Sequence, residues 1–205
     1  MCVQVKICGL TNREDAAAAV EAGADLVGFI FAAESPRRLT VDAAAEIARE
    51  IPPHIVKVGV FVNPPTDLVR RAIPGCGLGL LQFHGEEAPE FCTQFGVKSM
   101  KAFRVRGEQS LRALPAYATD AWLLDAYSEN QAGGTGQTFN WDLAVAAKEH
   151  GKPIFLAGGL TPANVAEAVR RVRPFAVDVS SGVEISPGRK DHAKVAAFIA
   201  TAKSA

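Results

Sequence analysis

The chain lacks the features that mark membrane and secreted proteins. Hydrophobic residues make up 48% of its 205 positions, yet no apolar run approaches the ~20 residues that a membrane helix requires. Residues 1–6 contain no apolar stretch of the kind found in signal peptides. We therefore predict a cytoplasmic protein with no membrane partner.

Net charge is also absent. The 22 Lys and Arg residues equal the 22 Asp and Glu residues in number, so no overall field would attract a nucleic acid. We predict no nucleic-acid partner, and any site for an anion must be local.

Cysteine is scarce, and the spacing of the four cysteines matches no metal-binding pattern. The four cysteines, Cys2, Cys8, Cys76 and Cys92, form no C-x-x-C pair and have no neighbouring histidine. This spacing argues against a zinc cluster and against the disulfide framework of a small secreted protein. We predict no metal site.

Eight short β-rich runs alternate with helical stretches. They cover residues 3–8, 26–31, 56–62, 80–84, 98–103, 121–125, 154–157 and 175–180. A repeat of roughly 20 to 30 residues fits a strand, a helix and two loops, which requires a parallel sheet with right-handed crossovers. We predict one α/β domain, 1–205, folded as a (β/α)8 TIM barrel. A doubly wound open sheet is the alternative, but no G-x-G-x-x-G motif follows the first strand.

Local patterns predict two helix starts. Thr11, with Glu14 three residues later, resembles a capping box, and Thr161 precedes Pro162 as a cap precedes a first-turn proline.

Alternation along the strands predicts which side chains enter the barrel. In the first strand Lys6 and Cys8 face inward, and in the eighth Asp178 faces inward while Phe175 faces the helices. The first and eighth strands are neighbours in a closed barrel, so we predict an ion pair between Lys6 and Asp178.

The active site of such a barrel lies at the carboxyl ends of its strands. Cys8, His84, Asp125, Gly158 and Ser180 occupy these positions. Each has a structural alternative: a cysteine commonly fills core space, an aspartate can cap a loop, and the histidine can line the pocket, bond locally or cap the next helix.

Two loops rich in small residues predict a phosphate site. Gly158 and Gly159 follow the seventh strand, and Ser180, Ser181 and Gly182 follow the eighth. Glycines let backbone amides approach an anion, and a helix N-terminus adds partial positive charge. Ordinary tight turns are the alternative.

Two further loops lie at the same end. Arg37 follows the second strand and suits bidentate binding of a carboxylate, unless it belongs to a solvated basic loop. Residues 125–138 include Gly134 and Gly136, a composition typical of a flap that closes on substrate.

Nine strings of the sequence together resemble the phosphoribosylanthranilate isomerase family of tryptophan biosynthesis. They are VKICGLTN (5–12), GFIF (28–31), SPR (35–37), VGVFVN (58–63), LQFHGE (81–86), LLD (123–125), GGTG (133–136), AGGL (157–160) and DVSSGVE (178–184). The likeness runs from the first residue to the last helix and implies a barrel of the ribulose-phosphate-binding type.

The resemblance implies an Amadori rearrangement of a small sugar-phosphate substrate without cofactor or metal. Asp125 would protonate the furanose ring oxygen and Cys8 would remove the proton on C2. Arg37 would hold the anthranilate carboxylate, and the amides around Gly158, Gly159, Ser181 and Gly182 the phosphate. For work near neutral pH, the pKa of the thiol must fall and that of the aspartate must rise.

One position departs from the family, and other functions remain open. Arg38 stands where the family often has an aromatic or apolar residue. The alternatives are the histidine-pathway Amadori isomerase, indole-glycerol-phosphate synthase and a barrel that binds phosphate without turnover. The oligomeric state is left open.

Overall fold

Eight parallel strands close into a barrel in the computed structural model, which describes residues 3–125 and 141–205. The strands are β1 Gln4–Cys8, β2 Leu26–Ile30, β3 Val56–Phe61, β4 Leu80–Phe83, β5 Ser99–Arg104, β6 Ala121–Asp125, β7 Ile154–Ala157 and β8 Ala176–Val179. They follow one another around the barrel in chain order, and β1 pairs with both β2 and β8. The predicted barrel is confirmed, and each predicted strand end lies within one residue of the observed one.

Helices follow the strands and cover the outside of the barrel. They are α1 Arg13–Glu21, α2 Val41–Ala48, α3 Thr66–Cys76, α4 Pro89–Thr93, α5 Trp141–Ala147, α6 Val165–Val172 and α7 His192–Lys203. After β5 the connection is a 3-10 segment, Glu108–Ala116, which contains Pro115. Proline lacks the amide hydrogen that an α-helix interior needs. A short hairpin, β9 Glu184–Ser186 and β10 Arg189–Lys190, precedes α7.

Both predicted helix starts are displaced. Asn12, rather than Thr11, caps α1 by accepting a hydrogen bond from the Asp15 amide, because the Thr11 hydroxyl is bonded to the Gly188 carbonyl instead. The helix after β7 begins at Val165, beyond a turn in which the Asn164 side chain accepts from the Thr161 amide.

The core has two layers separated by the strands. Inside the barrel a small apolar cluster fills the axis, while a larger one lies between the strands and the helices. The inner cluster comprises Leu26, Val58, Leu80, Met100, Ala102, Ala121, Leu123, Phe155, Ala157 and Ala176. Alternation of side chains along each strand produces this division.

A buried ion pair lies inside the barrel beside the inner apolar cluster. Lys6 Nζ is 3.0 Å from Asp178 Oδ1, and the two residues are register partners on β1 and β8. The predicted pair is therefore confirmed. Burial by itself disfavours the ammonium, but Asp178 and Cys8 raise the pKa of Lys6 above its usual value, so Lys6 remains charged.

The prediction that Phe175 packs beneath the helices is wrong. Phe175 precedes β8, is 46% exposed, and places its ring 5.6 Å from that of Phe155 in the barrel interior. Strand alternation does not extend to a residue outside the strand.

Of the helices within the described residues, none is both long and apolar enough to cross a bilayer.

Removing one partner of the Lys6–Asp178 pair tests its contribution to stability. Lys6→Met leaves the Asp178 carboxylate buried without its cation, and we expect the free energy of unfolding to fall by about 3–5 kcal/mol. Lys6→Met combined with Asp178→Leu removes both charges and should recover most of that loss. Urea denaturation of the three proteins measures the difference. A double variant as unstable as Lys6→Met would contradict this account.

Candidate active site

The structure brings the five predicted strand-end residues to one end of the barrel. Cys8 is the last residue of β1 and Asp125 the last of β6, while His84, Gly158 and Ser180 directly follow β4, β7 and β8. Because all eight strands are parallel, their carboxyl ends surround a single mouth. Positions far apart in the sequence therefore face a common space.

A layer of buried polar side chains supports this mouth from below. Lys6, Gln82 and Asp178 are all at least nine-tenths buried, and Cys8, His84 and Ser180 each stand two residues further along the same strand direction. A spacing of two returns a strand to the same face. Cys8 therefore shares a face of β1 with Lys6, and the 3.1 Å contact between Gln82 and His84 links a second mouth residue to this layer.

Cys8 is an unpaired thiol, 5% exposed, in a space made by Gly28. A β-carbon added at Gly28 would lie 2.8 Å from Cys8 Sγ, so only glycine leaves room for the sulfur. Burial raises the pKa of Cys8, and the opposing effect of the Lys6 ammonium is too small to reverse the shift. This direction is opposite to the lowered thiol pKa that proton removal by Cys8 near neutral pH would require.

Asp125 lies beside His84 across the mouth from Cys8. Its Oδ2 is 3.2 Å from His84 Nε2, and the two side chains are about equally accessible, at 25% and 22% exposure. The helix α4 begins at Pro89 with Ala88 at its cap position, which excludes the capping role for His84. Of the alternatives, the structure favours a place in the pocket.

Gln82 was missed by the sequence analysis. Its amide nitrogen lies 3.1 Å from His84 Nδ1, and its carbonyl oxygen accepts a 2.9 Å hydrogen bond from Lys6 Nζ. The signal was available, because Gln82 precedes His84 by two residues and so shares its inward face.

A second buried ion pair holds the backbone on either side of His84. Lys101 Nζ donates to Glu87 Oε2 at 3.1 Å and to the carbonyls of Phe83 and Gly85. Glu87 in turn accepts from the amides of Asn63 and Gly85. The loop that carries His84 is thereby fixed to β3 and β5.

Arg37 forms a bidentate ion pair with Glu184. Its Nε and Nη2 donate to the two carboxylate oxygens at 2.8 and 2.6 Å. Its stem crosses Gly9, where a β-carbon would lie 2.6 Å from Arg37 Cδ and 3.0 Å from Ser180 Oγ. Arg37 therefore lies against the end of β1, next to Cys8. One edge of its guanidinium, formed by Nε and Nη2, is hydrogen-bonded to Glu184.

Glu184 and Lys190 were assigned no role from sequence. Lys190 Nζ donates to Glu184 Oε1, to the Cys8 carbonyl at 2.7 Å and to the Ser180 carbonyl at 3.2 Å. Burial opposes ionisation of Glu184, but hydrogen bonds from Arg37 and Lys190 lower its pKa to about 2. These contacts join the ends of β1 and β8 to the hairpin, a long-range arrangement with no local sequence pattern.

The two small-residue loops meet at the mouth. Gly158 and Gly159 both have positive φ, 86° and 65°, a conformation that favours glycine. Gly182 packs against the Leu160 carbonyl with no room for a β-carbon. The helix α6 begins only at Val165, so a turn separates its N-terminus from Gly159. The backbone amides of the two loops are therefore closer to the mouth than those of the helix N-terminus.

Ser180 adds a polar group between these loops. Its hydroxyl oxygen is buried and has no hydrogen-bond partner among the residues that the structure describes. A buried hydroxyl without a partner is costly, and this one lies close to Gly9 at the end of β1.

Three sequence predictions remain, which concern the flap, Arg38 and metal binding. Gly134 and Gly136, with the predicted flap, lie outside the described residues. Arg38 is exposed, so the departure from the family adds charge to the outer rim. Over the described ranges, no group of three His, Cys, Asp or Glu side chains is arranged to hold a metal ion.

Comparison with known proteins identifies the family. The family model described as "N-(5'phosphoribosyl)anthranilate (PRA) isomerase" matches residues 5–201. An N-(5'-phosphoribosyl)anthranilate isomerase from Geobacter sp. (strain M21) is 58% identical over 200 residues, covering 98% of each chain.

Solved structures agree with this assignment. The crystal structure of phosphoribosyl anthranilate isomerase from Thermotoga maritima has a TM-score of 0.92 and 43% identity, covering 99% of this chain and 100% of that one. Another crystal structure of a phosphoribosyl anthranilate isomerase, in complex with reduced 1-(o-carboxyphenylamino)-1-deoxyribulose 5-phosphate, has a TM-score of 0.89 and 41% identity, again covering 99% of this chain and 100% of that one. The chain belongs to the N-(5'-phosphoribosyl)anthranilate isomerase family.

Proposed function

We propose that the chain catalyses the Amadori rearrangement of phosphoribosylanthranilate to 1-(o-carboxyphenylamino)-1-deoxyribulose 5-phosphate, a step of tryptophan biosynthesis. The observation that carries this proposal is the placement of Cys8 and Asp125 at the ends of β1 and β6, around one mouth. The relatives bear this activity in their names, and one was crystallised with a reduced form of the product.

The acid step falls to Asp125. A protonated Asp125 gives its proton to the furanose ring oxygen while the bond between that oxygen and C1 breaks, and the anthranilate nitrogen lone pair forms the Schiff base. The carboxylate that remains lies 3.2 Å from His84 Nε2. Partial exposure of Asp125 leaves its other oxygen open to substrate.

The base step falls to Cys8. Because its pKa is raised, the Cys8 thiol must first lose its proton. The resulting thiolate then takes the proton from C2, and the electron pair of that C–H bond moves toward the positively charged Schiff base to give the enolamine. The enolamine then tautomerises to the aminoketose, so C1 is reduced and C2 oxidised within one molecule. No external oxidant or reductant enters the balance.

Two ends of the substrate carry negative charge, and the mouth offers a separate set of donors to each. The amides around Gly158, Gly159, Ser181 and Gly182 would bind the phosphate, with the buried Ser180 hydroxyl as a further donor. The remaining guanidinium donors of Arg37 would bind the anthranilate carboxylate. With its two ends held in this way, the substrate would have its ribose between Cys8 and Asp125.

Turnover tests the assignment directly. Purified protein incubated with phosphoribosylanthranilate should yield the aminoketose by chromatography, and the histidine-pathway substrate serves as a parallel assay. Turnover of the second substrate alone would overturn the proposal, and turnover of neither would indicate a barrel that only binds phosphate. A cytoplasmic location stays a prediction, and the oligomeric state stays open.

Substitution of the acid and the base should abolish most of the chemistry. We expect Cys8→Ala and Asp125→Asn each to lower kcat by about 10² or more, since a general acid or base typically contributes 10²- to 10⁴-fold. Cys76→Ala is a matched control, because Cys76 is a buried thiol on α3. Asp120→Asn is the control for Asp125→Asn, because Asp120 directly precedes β6 and so lies at the end of the strand remote from the mouth. Steady-state kinetics of all four variants check this, and near-normal kcat in either active-site variant would reject its role.

Arg37 should contribute to binding more than to chemistry. Arg37→Ala removes a contact that is common to the ground and transition states, so we expect KM to rise while kcat changes little. Arg38→Ala is the control, because Arg38 is the adjacent residue and is exposed. If the two variants have the same KM, the carboxylate is bound elsewhere.

Ionisation of Cys8 should occur at higher pH than that of a free thiol. Because burial raises the pKa of Cys8, we expect the midpoint of its ionisation to lie above the ordinary value of 9.0. Thiolate absorbance in the ultraviolet, followed against pH in the chain and in Cys8→Ser, isolates this group by difference. Cys76 and Cys92, whose pKa values burial raises to about 11 and about 12, cancel in that difference. A Cys8 midpoint below pH 9.0 would contradict the prediction.

A further inference from the structure

An unbroken chain of hydrogen bonds crosses the barrel from β8 to β6. It begins at Asp178, which accepts from Lys6 at 3.0 Å, and continues from Lys6 to Gln82 at 2.9 Å. Gln82 then contacts His84 at 3.1 Å, and His84 contacts Asp125 at 3.2 Å. The first three residues are buried, and the last two face the mouth.

The chemistry of the groups orients every bond in this chain. The Lys6 ammonium has only hydrogens to offer, so the oxygen of the Gln82 amide must face it. The Gln82 NH2 group therefore faces His84 Nδ1, and a ring nitrogen that receives a hydrogen bond carries no proton. In a neutral imidazole the proton must then be on Nε2.

We propose that Gln82, oriented by Lys6, is a positioning residue that holds His84 neutral with its proton on Nε2, so that His84 donates to Asp125 and never accepts the acid's proton. This inference rests on the proposed function for the role of Asp125, whereas the proton position on His84 follows from the hydrogen-bond chain alone.

The proton position decides where the acid's proton goes. With Nε2 protonated, Asp125 Oδ2 accepts from His84, so the transferable proton of Asp125 is carried by Oδ1 and goes to the substrate's ring oxygen. With the opposite tautomer, a bare Nε2 would accept that proton and compete with the substrate. After the transfer, the Nε2–H bond remains and stabilises the carboxylate.

Hydrogen bonds hold the backbone at His84 and at the residues on either side of it. The His84 amide donates to the Phe61 carbonyl at 2.8 Å. Lys101, paired with Glu87, holds the carbonyls of the residues on either side of His84. With the backbone held in this way, His84 Nδ1 lies 3.1 Å from the Gln82 amide nitrogen, and this contact determines the tautomer.

The first experiment observes the proton position without any assay of activity. The unaltered chain, labelled with 15N in its four histidines, is studied by two-bond 1H–15N correlation, and His84→Asn identifies the signals of His84. We expect His84 to show a bare Nδ1 and a protonated Nε2 at neutral pH. A protonated Nδ1 would overturn the proposal, and this test requires no substitution at Gln82.

The second experiment changes the group that faces Nδ1. In Gln82→Glu a carboxylate accepts from Lys6 and from His84, which draws a proton to Nδ1. We expect a protonated Nδ1 by NMR, a kcat lower by about tenfold or more, and a KM that is nearly unchanged because the phosphate and carboxylate donors are untouched. Gln82→Met, which removes the amide but adds no charge, should give a mixture of tautomers and a smaller loss of kcat.

Gln4→Glu is the matched control. It makes the same chemical change on β1, but at the opposite end of that strand from Cys8, and it should leave both the His84 signals and kcat unaltered. If kcat of Gln82→Glu equals that of the control, the positioning role is rejected. If the NMR result holds but the unaltered chain fails to isomerise phosphoribosylanthranilate, the proposed function fails while the tautomer assignment stands.

Discussion

The buried ammonium of Lys6 is the interaction on which the site depends. It neutralises Asp178, orients Gln82 and lies beside Cys8, so one charge influences side chains on three strands. A lone charge in a barrel interior would cost several kcal/mol, and this cost is offset because each donor of the ammonium has an acceptor nearby. Cys8 lies two residues beyond Lys6, and His84 lies two residues beyond Gln82. Both mouth residues are therefore next to the buried ammonium or to its hydrogen-bond partner.

The rim of the mouth has a different kind of support. Arg37 and Glu184 are separated by 147 positions in the chain, yet they form a bidentate pair, and Lys190 ties the same carboxylate to the backbone of Cys8 and Ser180. The loops at the beginning and end of the chain are thus locked together where β1 meets β8. Barrel closure and the shape of the candidate carboxylate site are consequences of the same contacts.

Much of the fold was predictable because it depends on local pattern. Strand alternation placed Lys6 opposite Asp178 and brought Cys8 to the mouth, since a period of two needs no knowledge of distant residues. The same rule applied to β4 would have found Gln82. The cap of α1 was assigned to Thr11 instead of Asn12, because the contact between Thr11 and Gly188 joins the two ends of the chain and leaves no trace in local sequence.

The environment of Cys8 was the least predictable feature. The proposed chemistry requires a lowered thiol pKa near neutral pH, but the direction of the shift depends on how far burial outweighs the effect of Lys6, and burial is a property of the folded barrel. The roles of Arg37 and of the glycine loops follow from residue type, whereas the commitment of Arg37 to Glu184 follows from tertiary contact alone.

The enclosure of Cys8 also bears on the chemical durability of the protein. Oxidants such as hydrogen peroxide react with exposed thiolates and convert them to sulfenic acid and then to irreversible products. Cys8 is only 5% exposed, its sulfur sits in the space left by Gly28, and burial raises the pKa of its thiol. The barrel thus limits the access of oxidants to the sulfur that we propose as the base.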